Sequence, residues 1–239
     1  SIGFRFAERI DIGYASCVGY EACFGLGRSV EGDIVVGDYS CVAMFSSGET
    51  CKRLDADDDI IIADTSCVGE DACYKVGYSR PGTVDIGSES CIGYEACFEL
   101  GYNIEAGNID IENEACDGPR ACKELGTSTK SATISVRSKA CRGSEVCELI
   151  GANYDDGPSR ISIGANACSG PDYACFAFGF YVYDGGEVTV APGACSDAND
   201  ACSEEGTNPD TDCDANACND GRSFVMPAVE KPCADICVA

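Results

Sequence analysis

Hydrophobic and polar positions repeat along this chain. An aliphatic-x-aliphatic triplet begins at Ile10, Ile34, Ile60, Val84, Ile109, Ile134, Ile161 and Val188, with steps of 24, 26, 24, 25, 25, 27 and 27 residues. A fixed period in this range marks stacked units, none of which can bury a core alone. Each triplet opens one consensus: aliphatic, x, aliphatic, Gly, x, x, Ser/Ala, Cys, x, Gly, x, x, Ala, Cys, aromatic, x, Leu, Gly. The stretches Ile10 to Gly27 (IDIGYASCVGYEACFGLG) and Val84 to Gly101 (VDIGSESCIGYEACFELG) nearly coincide. Variation gathers after the closing glycine, where a solenoid places its loops.

The phase inside the repeat predicts the element type. Ile12-Gly13, Val18-Gly19 and Phe24-Gly25 recur every six residues, and Ser16 and Ala22 follow four after each aliphatic. This resembles the hexapeptide grammar of parallel β-helices, in which each hexad makes one side of a coil and glycine makes the corner. Triplets rich in β-branched residues suit a parallel strand stacked between its own copies. The expectation is an all-β, disulfide-stapled parallel β-helix of about eight coils of about 25 residues. At about 4.8 Å per coil the stack is about 38 Å tall. The alternative is a strand-helix solenoid like the leucine-rich repeats, because Gly19, Ala22, Cys23 and Leu26 share one helical face and Gly27 suits a C-cap. Glycine inside that helix costs about 1 kcal/mol, which favours the β-helix.

The 20 cysteines follow the same beat. Cys17/Cys23, Cys67/Cys73, Cys91/Cys97, Cys116/Cys122 and Cys141/Cys147 are six apart; Cys168/Cys175 and Cys195/Cys202 are seven apart; Cys41/Cys51 is ten apart. Pairing across coils would be disturbed by the insertion between Cys41 and Cys51, whereas pairing within each coil tolerates it. A straight helix holds residues six apart at roughly 9 Å, too far for a bridge, while a chain turning a corner brings them closer. The alternative is a vertical ladder joining equivalent cysteines of adjacent coils.

The ends depart from the repeat. Ile2-Gly3 aligns with Leu26-Gly27, so the sequence opens at the tail of a coil, and a leader or further repeats are expected to precede it. After Gly206 the period collapses, and Cys213/Cys218 and Cys233/Cys237 look like small local staples. Residues 1–205 are therefore expected to form the solenoid. Residues 206–239 are expected to form a disulfide-rich cap, with Ser223 to Pro227 as its apolar stretch.

Charge and composition narrow the function. Sixteen basic against 41 acidic residues give a net charge of −25. That balance excludes nucleic acid as a partner and disfavours anionic membrane surfaces. No apolar run reaches the roughly 20 residues that span a bilayer. An even, dense set of cysteines implies an oxidising compartment, so the expected location is secreted or at the cell surface. With 0 His, the commonest general base and metal ligand are missing. No nucleophile elbow or P-loop is present.

Four features carry candidate chemistry. Asp210, Asp212, Asp214 and Asn216 alternate oxygen ligands as calcium loops do. Ala215 replaces the glycine of an EF-hand and Gly221 its final glutamate, so the segment is not an EF-hand; it resembles more loosely the aspartate-rich calcium repeats of thrombospondins. Calcium is the candidate cofactor and a solvated loop the alternative. Asp55, Asp57, Asp58 and Asp59 form the densest acidic run, read as solvated or as a cation site. Aromatics recur beside carboxylates at Tyr20-Glu21, Tyr94-Glu95 and Asp172-Tyr173, and after the second cysteine at Phe24, Tyr74, Phe98 and Phe176. They read as a packing ladder or as a sugar platform. Arg80, Arg120, Arg137 and Arg142 show no partner pattern.

Two resemblances complete the picture. The C-x5-C element resembles the disulfide coil of insect β-helical antifreeze proteins, but the threonine pairs of that family are absent here. Residues 10 to about 205 resemble the repetitive cysteine-rich "IG-x-x-SC-x-G-x-x-AC" surface proteins of diatoms and related algae. The second resemblance implies an extracellular solenoid and supplies no catalytic residues. The expected function is a non-catalytic structural or adhesive module presenting a rigid acidic surface and assembling end to end, since its two ends differ and head-to-tail contacts that do not close make filaments. Its partners would be other copies of itself or matrix glycans and proteins. The alternative is a polysaccharide-active β-helix enzyme, which needs two carboxylates in a cleft.

Overall fold

The computed structural model describes residues 9–20, 23–24, 32–43, 51, 59–74, 76, 83–100, 108–125, 133–148, 160–170, 174–175, 187–195, 223–226 and 237–238. Each triplet becomes a short strand: β1 (Arg9–Ile12), β2 (Asp33–Val36), β3 (Ile60–Ile62), β4 (Thr83–Ile86), β5 (Asn108–Ile111), β6 (Thr133–Val136), β7 (Arg160–Ile163) and β8 (Glu187–Val190). These eight strands pair in parallel in chain order. The triplet leaders stack in register, Ile10 on Ile34, Ile34 on Ile60, and so on to Ile161 on Val188. The all-β solenoid is therefore the fold. No helix occurs among the described residues, and 91–100, where a strand-helix repeat needs one, runs as turns.

The apolar stripe explains the register. First and third triplet positions face inward and are fully buried from β2 to β7, as with Ile60, Ile62, Val84 and Ile86. A slip of one residue would turn every such pair to solvent. A second column of contacts runs through the bridged positions Val18, Val42, Val68, Ile92 and Asp117. A third follows the second cysteines, with Cys73 N–H donating to Ala96 O at 3.1 Å and Cys97 N–H to Ala121 O at 3.0 Å. Among the described residues, coils in the middle of the stack are thus bonded to their neighbours along three columns, which satisfies backbone groups in the interior.

Among the described residues seven disulfides close, each within one coil: Cys17–Cys23, Cys41–Cys51, Cys67–Cys73, Cys91–Cys97, Cys116–Cys122, Cys141–Cys147 and Cys168–Cys175. Cys195 is also bridged. Cys202, Cys213, Cys218 and Cys233 lie outside the described residues. The Cys17 and Cys23 Cα atoms are 5.4 Å apart, inside disulfide reach.

The corners differ from the hexapeptide expectation. Glycine does not turn them alone. Non-glycine residues in the left-handed region do so in every coil, as at Glu89 (φ 58), Cys91 (φ 53), Glu95 (φ 55) and Cys97 (φ 53). Each such residue is disfavoured by roughly 1–2 kcal/mol on its own, so the bridges and inter-coil bonds must hold it there. The first glycine of the consensus serves close approach instead: a Cβ on Gly13 would lie 2.6 Å from the Asp38 amide nitrogen of the next coil. Gly93 serves both ends, since its φ is +132 and a Cβ there would meet Gly118 O at 2.6 Å.

The sheet continues past the regular repeats. β9 (Ser223–Met226) joins β8 in parallel, with Val188 beside Phe224. β10 (Cys237–Val238) then pairs antiparallel to β9. The apolar stretch of the expected cap is therefore a ninth parallel strand, followed by a reversal.

Candidate functional site: outer face and inter-coil charge belt

The middle triplet positions stack vertically: Asp11, Val35, Ile61, Asp85, Asp110, Ser135, Ser162 and Thr189. Asp11, Ile61 and Asp85 are exposed, Val35, Asp110, Ser162 and Thr189 are half-buried, and Ser135 is buried. Asp33, Asp38, Asp59 and Asp64 lie within two residues of the triplets, and the last three are exposed. Several of these carboxylates bond the coil before them. Asp38 Oδ1 accepts the Tyr14 amide at 2.6 Å, Asp64 Oδ1 the Asp38 amide at 2.7 Å, and Asp59 Oδ1 the Asp33 amide at 2.8 Å. Asn113 plays the same part for Ser88 at 2.9 Å. The acids thus align the stack while keeping charge at its surface. Burial holds the Asp110 carboxyl above its ordinary range, opposed by Arg137 and reinforced by Glu112 and Asp85.

A column of serines follows the triplets. Ser40 Oγ donates to Ala63 O at 2.6 Å, Ser66 Oγ to Gly87 O at 2.6 Å, and Ser90 Oγ to Glu112 O at 2.7 Å. Two of these hydroxyls also accept the equivalent amide of the next coil, Ser40 Oγ from Ser66 N and Ser90 Oγ from Ala115 N, each at 3.2 Å. The column stops where the position becomes Ala115, Ala140, Ala167 and Ala194.

Ion pairs between coils take over there. Arg137 reaches back to Glu112 at 2.6 Å and Asp110 at 3.6 Å. Lys139 meets Glu114 at 3.6 Å, and Arg142 meets Asp117 at 3.1 Å. The strongest convergence surrounds Arg120, whose guanidinium lies 2.6 Å from Glu148, 3.2 Å from Glu145 and 3.3 Å from Glu95. Lys123 joins it, 2.8 Å from Glu95 and 3.8 Å from Glu148. Glu148 is only 4% exposed, and its Oε2 has no hydrogen-bond donor. Burial raises its carboxyl pKa even though Arg120 and Lys123 pull it down. Arg137 and Ser138 do the opposite to Glu112, holding it low by hydrogen bonds.

This belt corrects the expectation that Arg120, Arg137 and Arg142 lack a partner pattern. The signal was in the period: Arg120 stands 25 residues from both Glu95 and Glu145, and Arg137, Lys139 and Arg142 each stand 25 after an acid. One coil length places such residues directly over one another. Arg80 lies outside the described residues.

The remaining candidates separate. The rings of Tyr74 and Phe98 stack at 4.9 Å, and Lys123 continues the column 5.7 Å from the Phe98 centroid. Tyr20, Phe24 and Tyr94 are exposed. Asp55, Asp57, Asp58, Glu21, Asp172, Tyr173, Phe176 and the proposed calcium ligands Asp210, Asp212, Asp214 and Asn216 lie outside the described residues. The sulfurs of Cys122, Cys141 and Cys147 lie within 4.8 Å of one another. All three are oxidised, so this is a stack of bridges rather than a metal centre. No helix among the described residues is long and apolar enough to cross a membrane. The dense disulfides fit an oxidising, extracellular compartment. Comparison with known protein families, curated proteins and solved structures finds no match to this chain.

Proposed function

We propose that this chain is a non-catalytic structural or adhesive solenoid, secreted or displayed at a cell surface. It presents a rigid acidic face to cations, to matrix glycans or proteins, and to other copies of itself. The observation that carries this reading is the row of Asp11, Asp85 and Asp110, flanked by Asp33, Asp38, Asp59 and Asp64 on a stack that a bridge in each coil makes stiff. Fixed carboxylates on a stiff support bind polyvalent partners with little loss of conformational freedom. The resemblance to algal surface proteins is in keeping with it. Asp210, Asp212, Asp214 and Asn216 are the candidate calcium ligands within this reading.

The test is co-sedimentation of the folded protein with insoluble matrix polysaccharides and with a polycation, across salt, while released reducing ends and unsaturated products are measured. Retention that falls with salt and no released sugar is the expected result. Sugar release dependent on the protein would favour the polysaccharide-active alternative, and failure to bind any polymer would count against the adhesive role.

A further inference from the structure

We propose that the bridges in the coils of β5, β6 and β7 form an internal thiol–disulfide exchange site, through which a single thiol converts bridges within coils into bridges between coils. The sulfurs converge in this part of the stack. Those of Cys122, Cys141 and Cys147 all lie within 4.8 Å of one another, and so do those of Cys147, Cys168 and Cys175. Each group joins the second cysteine of one coil to the whole bridge of the next. Cys147 belongs to both groups, so the contacts are continuous over three coils. Among the described residues no such group includes Cys97, although Cys97 N–H bonds Ala121 O of the next coil in the same manner.

The backbone selects the bridge that is made. Cys122 N–H donates to Val146 O at 2.9 Å, and Cys147 N–H to Ala174 O at 3.1 Å. These bonds stack Cys122 on Cys147 and Cys147 on Cys175. Stacked residues of neighbouring strands stand about 4.8 Å apart, a Cα spacing that a disulfide accepts. The native pairs stand 5.5, 5.8 and 5.7 Å apart. Bridges along a coil and bridges between coils therefore both fit. The diagonal pair, Cys122 with Cys141, combines the two separations at roughly 7.5 Å and exceeds the usual reach.

The reaction is an isomerisation, with no net oxidation or reduction. It needs a lone thiol at Cys122, which arises when an external thiol holds Cys116 in a mixed disulfide while the chain folds. The Cys122 thiolate attacks Cys147 Sγ. The Cys122–Cys147 bond forms, the Cys141–Cys147 bond breaks, and Cys141 leaves as the thiolate and takes up a proton. A lone Cys147 acts likewise on Cys175 and releases Cys168. In the finished stack all six cysteines are 0% exposed, so the bridge of the next coil is the electrophile within reach and solvent thiols are kept away. The new bridges tie neighbouring coils covalently, and the exchanged segment resists peeling of one coil from the next. This inference rests on the sulfur geometry and not on the adhesive reading above.

The test uses the full chain. Cys116→Ala leaves Cys122 without its partner, and Cys141→Ala does the same for Cys147. Each variant is folded oxidatively, checked by circular dichroism, and quenched in acid, where thiolates are too scarce to exchange. It is then unfolded, alkylated with N-ethylmaleimide and mapped by peptide mass spectrometry. In Cys116→Ala the label should divide between Cys122 and Cys141, within about tenfold of each other because both pairings suit the bridge, and a linked Cys122–Cys147 peptide should accompany it. In Cys141→Ala the label should divide between Cys147 and Cys168. Cys91→Ala is the control, and its label should stay on Cys97. Labels confined to Cys122 and Cys147 in chains with the native spectrum overturn the exchange site, and equal migration from Cys97 overturns its restriction to these coils. Refolding of the unsubstituted chain in a glutathione buffer gives an independent readout that needs no variant to fold. A Cys122–Cys147 peptide should appear and then decay, and its absence at every time overturns the site.

Discussion

Arg120→Met is the sharpest test of the inter-coil belt. Methionine keeps the apolar stem and removes the guanidinium on which Glu95, Glu145 and Glu148 converge. Stripping one partner from a fully buried ion pair costs about 3–5 kcal/mol. Here Glu95 and Glu145 keep some contact with water, and Lys123 remains 3.8 Å from Glu148, so a loss of about 2 kcal/mol at pH 7 is expected. The pH dependence distinguishes a lost charge from lost packing. Burial already raises the Glu148 carboxyl, and removing Arg120 raises it further. A raised carboxyl means that the folded state holds the proton more tightly than the unfolded chain does. The penalty is therefore full above the folded pKa, shrinks as pH falls through it, and vanishes below the unfolded value near 4.3. Urea unfolding followed by circular dichroism from pH 7 to about pH 4 reads this directly, with hydrogen exchange localising the change to residues 109–148. The gap between Arg120→Met and the parent should close in acid, and Glu148→Gln in the same chain should remove most of it at pH 7. Parallel pH profiles, or an undiminished loss in the double variant, would refute the assignment.

Other outcomes follow from the same geometry. Replacing Cys91 and Cys97 together by alanine opens a seven-residue loop, for which chain entropy gives a loss of about 2.4 kcal/mol by urea unfolding. Gly93→Ala forces a Cβ against Gly118 O and a left-handed φ, and should lower stability by more than about 3 kcal/mol, whereas Gly193→Ala, with nothing within 4 Å, should suffer only from its φ of +72. Ser66→Ala removes the donor to Gly87 O and should cost about 1–2 kcal/mol. Chelation should loosen residues 206–239 to protease while the coils stay resistant if Asp210, Asp212 and Asp214 share a calcium ion; unchanged resistance would reject that site.

Much of the fold was legible because it is local and repeated. The triplet period fixed which residues stack, since a parallel strand that buries its first and third positions has one register that keeps them dry. The insertion between Cys41 and Cys51 pointed to bridges within coils, and the structure places Cys41 and Cys51 in the same coil. What tertiary structure alone decided is how the chain turns and what crosses from coil to coil. A left-handed Cys91 or Glu95 is invisible in sequence, because no residue type announces it; the closed bridge and the bonds above and below impose it. The charge belt had a signal, the 25-residue spacing of Arg120 from Glu95 and Glu145. That spacing acquires meaning only once coil length and the facing side are fixed, because charges one coil apart are remote along the chain and about 5 Å apart in space.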